Sequence, residues 1–307
     1  MTPAYRPVLR FAENRRGRDF VVGDIHGAFE QVHQALQAVA FNREVDRLFC
    51  AGDLVNRGPV PERVAKFLKQ PYVHAVRGNH EEMILDLYAQ GVPSEIELIF
   101  RVREAPVDLG WWLRIKPEDR LEIVELFRRL PVAIEIETRR GLVGIVHADV
   151  PQGFSWQRFT RALEGEGSES HRRAVRLHAC WSRERHQRRD HTGVPGIGRV
   201  FVGHTPKRAR PLRLGNVHYI DGGLVYGVVA QDPTAGRLVI ADITASCIRL
   251  AMDPMPGTFV DARVDRQPVY APFEEGIPEE EDDLQPVAVR AAAARVGQER
   301  ELEDVVP

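Results

Sequence analysis

Five short polar segments, each at the end of an apolar run, constrain this chain more than any other feature. They place Asp, Asn and His side chains directly after stretches that have the composition of buried β-strands. One such segment alone is typical of a helix N-cap or a turn, but five together predict a bound metal pair. The segments are GDIHG (23–27), GDLVNRGP (52–59), GNHE (78–81), HAD (147–149) and GHTP (203–206).

Composition and charge exclude several classes of protein. The chain has 307 residues and a net charge of −2, so it lacks the basic excess that favours nucleic acid as a partner. The N-terminal residues lack the apolar stretch of a signal peptide, and no run approaches the roughly 20 apolar residues of a membrane span. Three unevenly spaced cysteines, Cys50, Cys180 and Cys247, do not form the pattern of a disulfide framework. We therefore expect a soluble, cytoplasmic protein with no membrane partner, of undefined oligomeric state.

A strand–turn–helix pattern occurs three times in the first 90 residues. Apolar runs at 19–22, 47–51 and 72–76 each lead into a glycine and a polar residue, and apolar positions at helical spacing follow. This repeat predicts βαβ units and a largely parallel sheet. Because ligands collect beyond the carboxyl ends of the strands in such sheets, we expect the first three polar segments to lie together.

The rest of the chain divides into a helical insertion, a second set of strands and a tail. Residues 91–131 are predicted to be mostly helical, and 151–198 to form an irregular, arginine-rich surface segment that returns to the site. Strands are predicted at 133–137, 142–146, 200–202, 217–220, 224–230 and 238–243, and their close spacing favours antiparallel pairing in a second sheet.

The predicted fold class is an α/β (α+β) sandwich, with two mixed central β-sheets flanked by helices and the metal site at the carboxyl ends of the strands. This domain is expected to span residues 1–252. Residues 253–307 form an acidic, proline-containing tail, in which seven of the ten residues at 274–283 are Asp or Glu. Such a segment buries too little apolar surface to fold, so we expect it to be disordered.

The residue types in the polar segments suit a pair of transition-metal ions. Asp24 and His26 are two residues apart, so on an extended segment they point to the same side, and Asp53 could bridge two ions. The second ion would be completed by Asn79, His147 and His204. Mixed carboxylate, imidazole and amide ligands favour Mn²⁺, Fe²⁺ or Zn²⁺ over Mg²⁺ or Ca²⁺. Two such ions can hold a bridging hydroxide and clamp a phosphoryl group for in-line displacement.

The segments resemble the motifs of a known family. The pattern GDxHG, GDxVDRG, GNHE, HA(G/D) and GH is that of the phosphoprotein phosphatase branch of the calcineurin-like metallophosphoesterases. Over about residues 18–245 the chain is most similar to the bacterial and bacteriophage lambda phosphatase-like group. The longer stretches that carry this resemblance are AVRGNHEEMILD (75–86), GWW (110–112), HADVP (147–151), WSRER (181–185) and YIDGGLVYG (219–227).

The resemblance implies a role for each matching residue. The ligands of the two ions would be the six residues named above, with Asp53 shared. Arg57 and Arg183, with Asn79, would hold the substrate phosphate, and His80 would be the general acid that protonates the leaving alkoxide. The implied activity is hydrolysis of phosphoserine and phosphothreonine in phosphoproteins or phosphopeptides. The implied cofactors are two divalent metal ions, with Mn²⁺ preferred over Fe²⁺ or Zn²⁺.

One position departs from the family pattern. Asn56 stands where the pattern has an aspartate, which accepts a hydrogen bond from the general-acid histidine and stabilises its protonated form. An asparagine can accept through its amide oxygen but adds no charge, so we expect His80 to be a poorer imidazolium.

Two alternative functions follow from this departure. Symmetrical diadenosine tetraphosphatases, which are close relatives, can read VNRGP at this point, and their phosphate leaving group needs no strong acid. The other alternative is a phosphoprotein-binding module with weak turnover. The segments GHTP, HADVP and WSRER resemble the protein-phosphatase group and favour the phosphomonoesterase.

Overall fold

The computed structural model of this chain describes residues 5–207, 211–232, 234–244 and 248–249. The predicted tail, 253–307, and Cys247 lie outside these residues. Among the helices that the structure describes, none is both long enough and apolar enough to cross a membrane.

Two mixed β-sheets form the centre of the fold, as predicted. The strands are β1 (Val8–Phe11), β2 (Asp19–Val22), β3 (Arg47–Cys50), β4 (Val73–Ala75), β5 (Ala133–Ile136), β6 (Val143–Val146), β7 (Arg199–Val202), β8 (Leu212–Leu214), β9 (Val217–Tyr219), β10 (Ile240–Asp242) and β11 (Ile248–Arg249). One sheet has the order β11-β10-β2-β3-β4, in which β2, β3 and β4 are parallel. The other has the order β1-β5-β6-β7-β9-β8, in which β6, β7 and β9 are parallel.

Helices cover the outer faces of both sheets. They are α1 (Phe29–Ala38), α2 (Val64–Leu68), α3 (Asn79–Asp86), α4 (Glu95–Arg103), α5 (Gly110–Arg114), α6 (Pro117–Arg129), α7 (Trp156–Leu163), α8 (Glu169–Trp181), α9 (Glu184–Gln187) and α10 (Leu224–Ala230), with a 3₁₀ turn at Pro61–Arg63. Helices α4, α7 and α8 begin at serines whose hydroxyls accept from a backbone N–H three residues later, which satisfies a donor at the open helix end.

The alternation of side chains along the strands divides the core into three layers. Val21 and Phe49 point between the sheets, where they pack with Ile134 and Ile145 of the other sheet. Phe20 and Val22, on the opposite face of β2, point outward and pack against α1 to α6. The outer face of the six-stranded sheet is covered by α7 and α8. The sheets are therefore packed face to face, which brings their strand ends together.

The strand predicted at 224–230 is wrong, because these residues form α10. The run LVYGVVA is apolar throughout, and periodicity alone cannot distinguish a short helix from a buried strand in such a run. The helix also needs a glycine at 227, because an added Cβ would lie 2.1 Å from the carbonyl oxygen of Gly236. The helix buries Leu224 and exposes Val229, and it ends at Ala230, before Gln231 with its left-handed backbone.

Three other expectations need correction. Among the described strands, the six-stranded sheet contains only two antiparallel pairs, β5–β6 and β8–β9, so it is mixed rather than largely antiparallel. Strand β10, within the predicted run 238–243, joins β2 in the other sheet. Residues 151–198 are not irregular but form α7, α8 and α9, because Trp156, Phe159 and Leu163 bury one helical face. The helical insertion at 91–131 is confirmed by α4, α5 and α6.

Candidate metal centre

The five polar segments lie together at the carboxyl ends of five strands. The predicted metal ligands are all buried, with exposed fractions of 0–7%. They lie where the ends of the two packed sheets meet, so that residues distant in sequence become neighbours. They are Asp24 and His26 after β2, Asp53 after β3, Asn79 after β4, His147 after β6 and His204 after β7.

Five residues of these segments have a left-handed backbone. Among the described residues, eight that are not glycine have positive φ, and five of the eight belong to the site. This conformation is unfavourable for residues with a Cβ, and it persists only where the surrounding structure fixes it. Its concentration here marks a functional site independently of residue type. The five are His26 (φ 49°), Asp53 (49°), Asn56 (70°), Arg57 (63°) and His204 (66°).

Two motif glycines allow the carboxylates to approach the backbone. A Cβ added to Gly78 would lie 2.3 Å from Oδ1 of Asp53, and one added to Gly203 would lie 2.0 Å from Oδ1 of Asp24. Both distances are far inside van der Waals contact, so no other residue fits without moving a candidate ligand. The glycines of GNHE and GHTP are therefore required by packing around the site.

Backbone carbonyls orient three of the histidine rings. A carbonyl oxygen can only accept, so the ring nitrogen that faces it carries the hydrogen and the other ring nitrogen presents a lone pair. This pattern is typical of histidines that bind metal through the free nitrogen. The pairs are His26 Nδ1 with Val55 O at 2.9 Å, His147 Nδ1 with Ala51 O at 2.7 Å, and His204 Nε2 with Trp181 O at 3.1 Å.

The free ring nitrogens of His147 and His204 point at two further acceptors. Oδ1 of Asn79 lies 2.8 Å from His147 Nε2 and 3.0 Å from His204 Nδ1. Oδ1 of Asp53 lies 3.3 Å from His147 Nε2. If the amide of Asn79 is turned over, its NH₂ group reaches both rings and both oxygens of Asp53 at 2.8–3.2 Å. Lone pairs thus surround this point from every side, and a cation satisfies all of them with the amide oxygen facing inward.

Asp53 joins this group to a second one. Its Oδ2 lies 3.9 Å from Nε2 of His26 and 3.8 Å from Nε2 of His80. In each group, His26–Asp53–His80 and Asp53–His147–His204, the potential ligand atoms lie within 4.8 Å of one another. A carboxylate shared by two such groups is suited to bridge two ions, as the sequence predicts.

Hydrogen bonds distinguish His80 from the three histidines with free ring nitrogens. The indole N–H of Trp111 donates to Oδ1 of Asn56 at 2.7 Å, and an indole can only donate. The NH₂ group of Asn56 therefore faces Nδ1 of His80, at 2.8 Å, and donates to it. This is the reverse of the expected arrangement, in which the Asn56 oxygen accepts from His80. With Nδ1 accepting, the hydrogen of the neutral ring is on Nε2, which makes His80 a donor rather than a metal ligand.

Asp24 lies at the edge of the cluster, outside both groups. Its two oxygens accept from the backbone N–H of His204 at 3.1 and 3.0 Å. Asp221, which the sequence analysis did not assign, is buried beside it and accepts from Gly223 N at 2.8 Å. Burial, and then the charges of Asp221 and Asp53, raise the pKa of Asp24 well above its ordinary value. A cation beside these carboxylates would offset their mutual repulsion.

Burial and neighbouring charges together set the protonation of the other groups. Burial alone would raise the pKa of Asp53, but His147 and then His80 outweigh it and hold the pKa well below its ordinary value. Burial lowers the pKa of His80 well below 6.5, and it does the same for His204, assisted by His147. Burial alone would lower the pKa of His147, but the charge of Asp53 outweighs it and raises this pKa. Divalent metals bind ionised carboxylates and neutral imidazoles, so a bound cation would take the place of the His147 proton.

Glu81 is a site residue that the sequence analysis did not assign. It is fully buried, and its carboxylate accepts from the backbone N–H groups of Gly78 at 2.8 Å, Leu54 at 2.8 Å and Asp53 at 3.0 Å. These bonds fix the Asp53 loop onto the start of α3. Burial, followed by the charge of Asp53, raises the pKa of Glu81 to about 7. Its place three residues after Gly78, the N-cap of α3, is the signal that could have identified it.

Arg57 and Arg183 are the exposed basic residues of the site. Nη1 of Arg57 lies 3.5 Å from the hydroxyl oxygen of Tyr226, and Nη2 of Arg183 donates to the carbonyl oxygen of His204 at 3.1 Å. Arg57 is thus linked to α10 and Arg183 to the loop that carries His204, with both guanidinium groups available to a bound anion. Through Arg183, the segment 151–198 contacts the loop that carries His204.

Arg185, the second arginine of WSRER, has a different position. It is buried and donates to Asp149 at 2.9 Å and to Asp190 at 3.1 Å. Because Asp149 is two residues after His147, this pair anchors the loop that carries the histidine.

The donor set fits a pair of divalent transition metals. It combines imidazole nitrogens, carboxylates and one amide oxygen, with each candidate histidine held by a second hydrogen bond. All-oxygen sites, which Mg²⁺ and Ca²⁺ prefer, have a different composition.

Comparisons with known proteins agree with this chemistry. A family model described as calcineurin-like phosphoesterase matches residues 20–221. The chain is 34% identical to serine/threonine-protein phosphatase 1 of Salmonella typhimurium over 229 residues, which cover 73% of this chain and 91% of the relative. It is 32% identical to the symmetrical bis(5'-nucleosyl)-tetraphosphatase of Serratia proteamaculans over 158 residues, which cover 48% of this chain and 55% of the relative.

A solved structure shares the fold. The crystal structure of a candidate diadenosine tetraphosphatase superposes with a TM-score of 0.53 at 22% identity, covering 81% of this chain and 98% of that one. At this identity the likeness concerns the arrangement of sheets and helices alone.

Proposed function

This chain belongs to the calcineurin-like phosphoesterase family, and we propose that it is a dinuclear-metal phosphomonoesterase that hydrolyses phosphoserine and phosphothreonine in proteins. The proposal depends above all on the convergence of free ring nitrogens on Asp53 and Asn79, because such a cluster of acceptors calls for a cation. Metal-dependent phosphoester hydrolysis is the chemistry of the family. The protein substrate is supported by the similarity to a serine/threonine-protein phosphatase over 91% of its length.

The cofactor that we propose is a pair of divalent ions, with Mn²⁺ preferred and Fe²⁺ or Zn²⁺ as alternatives. Bound ions would supply an activated water and a clamp for the phosphoryl oxygens. Asp24 and His26 would hold the first ion, and Asp53 would serve both. The second would be held by Asn79, His147 and His204, the residues with the shortest mutual distances.

The substrate phosphate would be held by Arg57, Arg183 and Asn79. The two guanidinium groups are exposed at the site, whereas the cluster itself is buried, so an anion entering from solvent meets the arginines first. Two bidentate contacts would orient the phosphoryl group for in-line attack.

His80 would interact with the leaving oxygen. In the structure Asn56 donates to Nδ1, so the neutral ring presents its hydrogen on Nε2. It can therefore hydrogen-bond a leaving oxygen, while general acid catalysis by an imidazolium requires the Asn56 amide to turn.

The same observation favours a second candidate function, hydrolysis of symmetrical dinucleoside tetraphosphates. A nucleotide leaving group departs as a stable phosphate anion and needs no proton, so a neutral His80 suffices. The similarity to a symmetrical tetraphosphatase, at 32% identity over 55% of that protein, supports this candidate less completely.

A comparison of three substrates tests the proposal. The full chain, loaded with Mn²⁺, would be assayed on a phosphothreonine peptide, diadenosine tetraphosphate and p-nitrophenyl phosphate. A higher kcat/KM for the peptide than for the dinucleotide would support the protein substrate, and the reverse order would establish the second candidate instead. No turnover on any of them would refute both and favour the phosphoprotein-binding module.

Arginine variants test the phosphate contacts. Arg183→Ala and Arg57→Ala should each lower kcat/KM by at least about tenfold, since charge-assisted bonds to phosphate contribute about 1.5–3 kcal/mol. Arg188→Ala is the matched control, because Arg188 lies in the same segment but pairs with Glu184 at 2.9 Å. Equal effects at Arg183 and Arg188 would exclude Arg183 from the site.

We place the activity in the cytoplasm. Cys50 and Cys180 are buried free thiols, the state that a reducing compartment maintains.

A further inference from the structure

We propose that Trp111 is a positioning residue that acts through Asn56 to hold His80 with its hydrogen on Nε2. The consequence is a site whose rate depends steeply on how readily the leaving oxygen departs without a proton. This inference deepens the proposed function, since it presupposes phosphoester hydrolysis at the metal centre. Trp111 belongs to α5, in the helical insertion, and none of its neighbours in sequence is a candidate ligand.

The first step in the argument is the orientation of the Asn56 amide. The indole Nε1 of Trp111 lies 2.7 Å from Asn56 Oδ1. An indole nitrogen has a hydrogen and no lone pair in the ring plane, so only the amide oxygen can face it. The amide orientation is thus decided by a donor that cannot reverse its own role.

The second step passes the constraint to His80. With its oxygen held by Trp111, Asn56 presents NH₂ to Nδ1 of His80 at 2.8 Å. An amide NH₂ only donates, so Nδ1 must supply a lone pair and the ring hydrogen is on Nε2. Nε2 is the nitrogen that faces the cluster, 3.8 Å from Oδ2 of Asp53.

Burial prevents the hydrogen bonds of Trp111, Asn56 and His80 from being exchanged for bonds to water. Asn56 is 0% exposed, His80 2% and Trp111 6%, so water cannot replace a lost partner. Turning the amide would set its NH₂ against the indole N–H, two donors facing each other without an acceptor. The indole itself is fixed by packing, with its ring edge-to-face on Trp112 at 5.2 Å. The hydrogen bonds between the three groups therefore have one defined direction, in which the indole donates to the amide and the amide donates to the imidazole.

The chemical consequence concerns the leaving group. A ring held in this form can donate one hydrogen bond to a leaving oxygen but does not carry the extra proton of an imidazolium. Leaving groups that depart as stable anions, such as aryl oxides and phosphates, need no more than this. Serine and threonine alkoxides need a proton, so they should leave slowly from this site compared with aryl leaving groups.

The neighbouring tryptophan provides a matched control. Trp112 has the same residue type, is also buried, and donates its indole N–H to the hydroxyl of Tyr88 at 3.3 Å, away from Asn56. Trp111→Phe and Trp112→Phe remove the same atoms from adjacent buried positions. Only the first removes the donor that orients Asn56.

The experiment reads the ring directly. Nitrogen-15 NMR of the full chain, labelled at histidine and loaded with diamagnetic Zn²⁺, reports which ring nitrogen of His80 carries hydrogen, with His80→Gln used for assignment. We expect hydrogen on Nε2 in the parent chain and in Trp112→Phe, and appearance of the Nδ1-protonated form in Trp111→Phe. A parent chain with hydrogen on Nδ1 would overturn the inference, as would a Trp111→Phe spectrum identical to that of Trp112→Phe.

A kinetic comparison supplies the second readout. The ratio of kcat/KM for phenyl phosphate to that for p-nitrophenyl phosphate measures dependence on the leaving group, and binding effects largely cancel in it. The ratio should rise about tenfold in Trp111→Phe and stay unchanged in Trp112→Phe, since general acid catalysis contributes about 10²–10⁴-fold when fully available. Equal ratios in the two variants would contradict the inference.

Failure of the inference and failure of the proposed function are separable. If the Mn²⁺-loaded chain hydrolyses none of the substrates, the proposed function fails, yet the NMR result on the Zn²⁺-loaded chain still decides the direction of the hydrogen bonds. If Trp111→Phe does not fold, Asn56→Asp keeps the test open, because a carboxylate accepts from both neighbours. That variant should move the His80 hydrogen to Nδ1, and retention on Nε2 would overturn the inference.

Discussion

Replacing Asn56 with aspartate tests whether protonation of the leaving oxygen limits this enzyme. The new carboxylate can accept from Trp111 at 2.7 Å and from His80 Nδ1 at 2.8 Å, so it gives the imidazolium the partner that asparagine denies it. An adjacent opposite charge favours the charged form of a histidine by about 1–3 pKa units, or about 1.4–4 kcal/mol. Burial lowers the pKa of His80 and therefore offsets part of this stabilisation of the imidazolium. We therefore expect kcat/KM on a phosphothreonine peptide to rise about 10- to 100-fold.

The assay compares two leaving groups at one metal load. The parent and Asn56→Asp chains, with equal Mn²⁺ content by elemental analysis, would be assayed on the phosphothreonine peptide and on p-nitrophenyl phosphate. For p-nitrophenyl phosphate we expect kcat/KM to change by less than about threefold, because a nitrophenolate leaves without a proton. Asn56→Ala, which offers no acceptor, should raise neither rate. Equal gains on both substrates, or no gain on the peptide, would refute a role for His80 in protonating the leaving oxygen.

Three further predictions concern the metals, pH and the tail. Asp53→Ala should lose both metal ions and His204→Ala only one, as measured by elemental analysis. The control is Asp46→Ala, which replaces a buried aspartate outside the site. Full metal content in Asp53→Ala would exclude Asp53 as a shared ligand. His218 is 2% exposed, its Nε2 lacks a partner, and burial lowers its pKa to about 3 from an ordinary 6.5. As the pH falls, His218 is therefore protonated in the unfolded chain at a higher pH than in the folded chain. Through this group, the free energy of unfolding should fall by about 2 kcal/mol from pH 7 to pH 5. His218→Phe should remove that loss in urea unfolding, and an unchanged pH dependence would contradict the burial argument. Deletion of residues 253–307 should leave metal content unchanged, and a loss of metal would show that the folded domain extends beyond 252.

The β-sheet scaffold and the candidate ligands could be predicted because each depends on local order in the chain. Strand β2 was predicted with its observed bounds, since a short and largely apolar run, Asp19–Val22, ends at a glycine. The ligands followed from residue type at strand ends, which the parallel geometry brings to one edge. The run 224–230 could not be predicted in the same way, because a short, uniformly apolar segment has no periodicity that distinguishes a helix from a buried strand.

Glu81 and Arg185 show the same limit within the site. Both residues belong to motifs that the sequence analysis identified, GNHE and WSRER, but their roles depend on the groups that surround them in the folded chain. Glu81 binds three backbone N–H groups of two loops, and Arg185 pairs with two aspartates from separate segments. An exposed Arg183 and a buried Arg185 are indistinguishable by composition.

The sequence by itself determined the set of candidate donor atoms, because residue type and order fix which atoms a strand end can offer. It also identified Asn56 as a position where this chain departs from the protein-phosphatase pattern. Only the tertiary structure decided what that departure means. The direction of the Asn56 amide depends on the indole of Trp111, which lies 55 residues further along the chain and reaches the site through the packing of α5. A hydrogen bond between distant side chains has a direction that is set by the donors and acceptors around it, and sequence order does not contain that information.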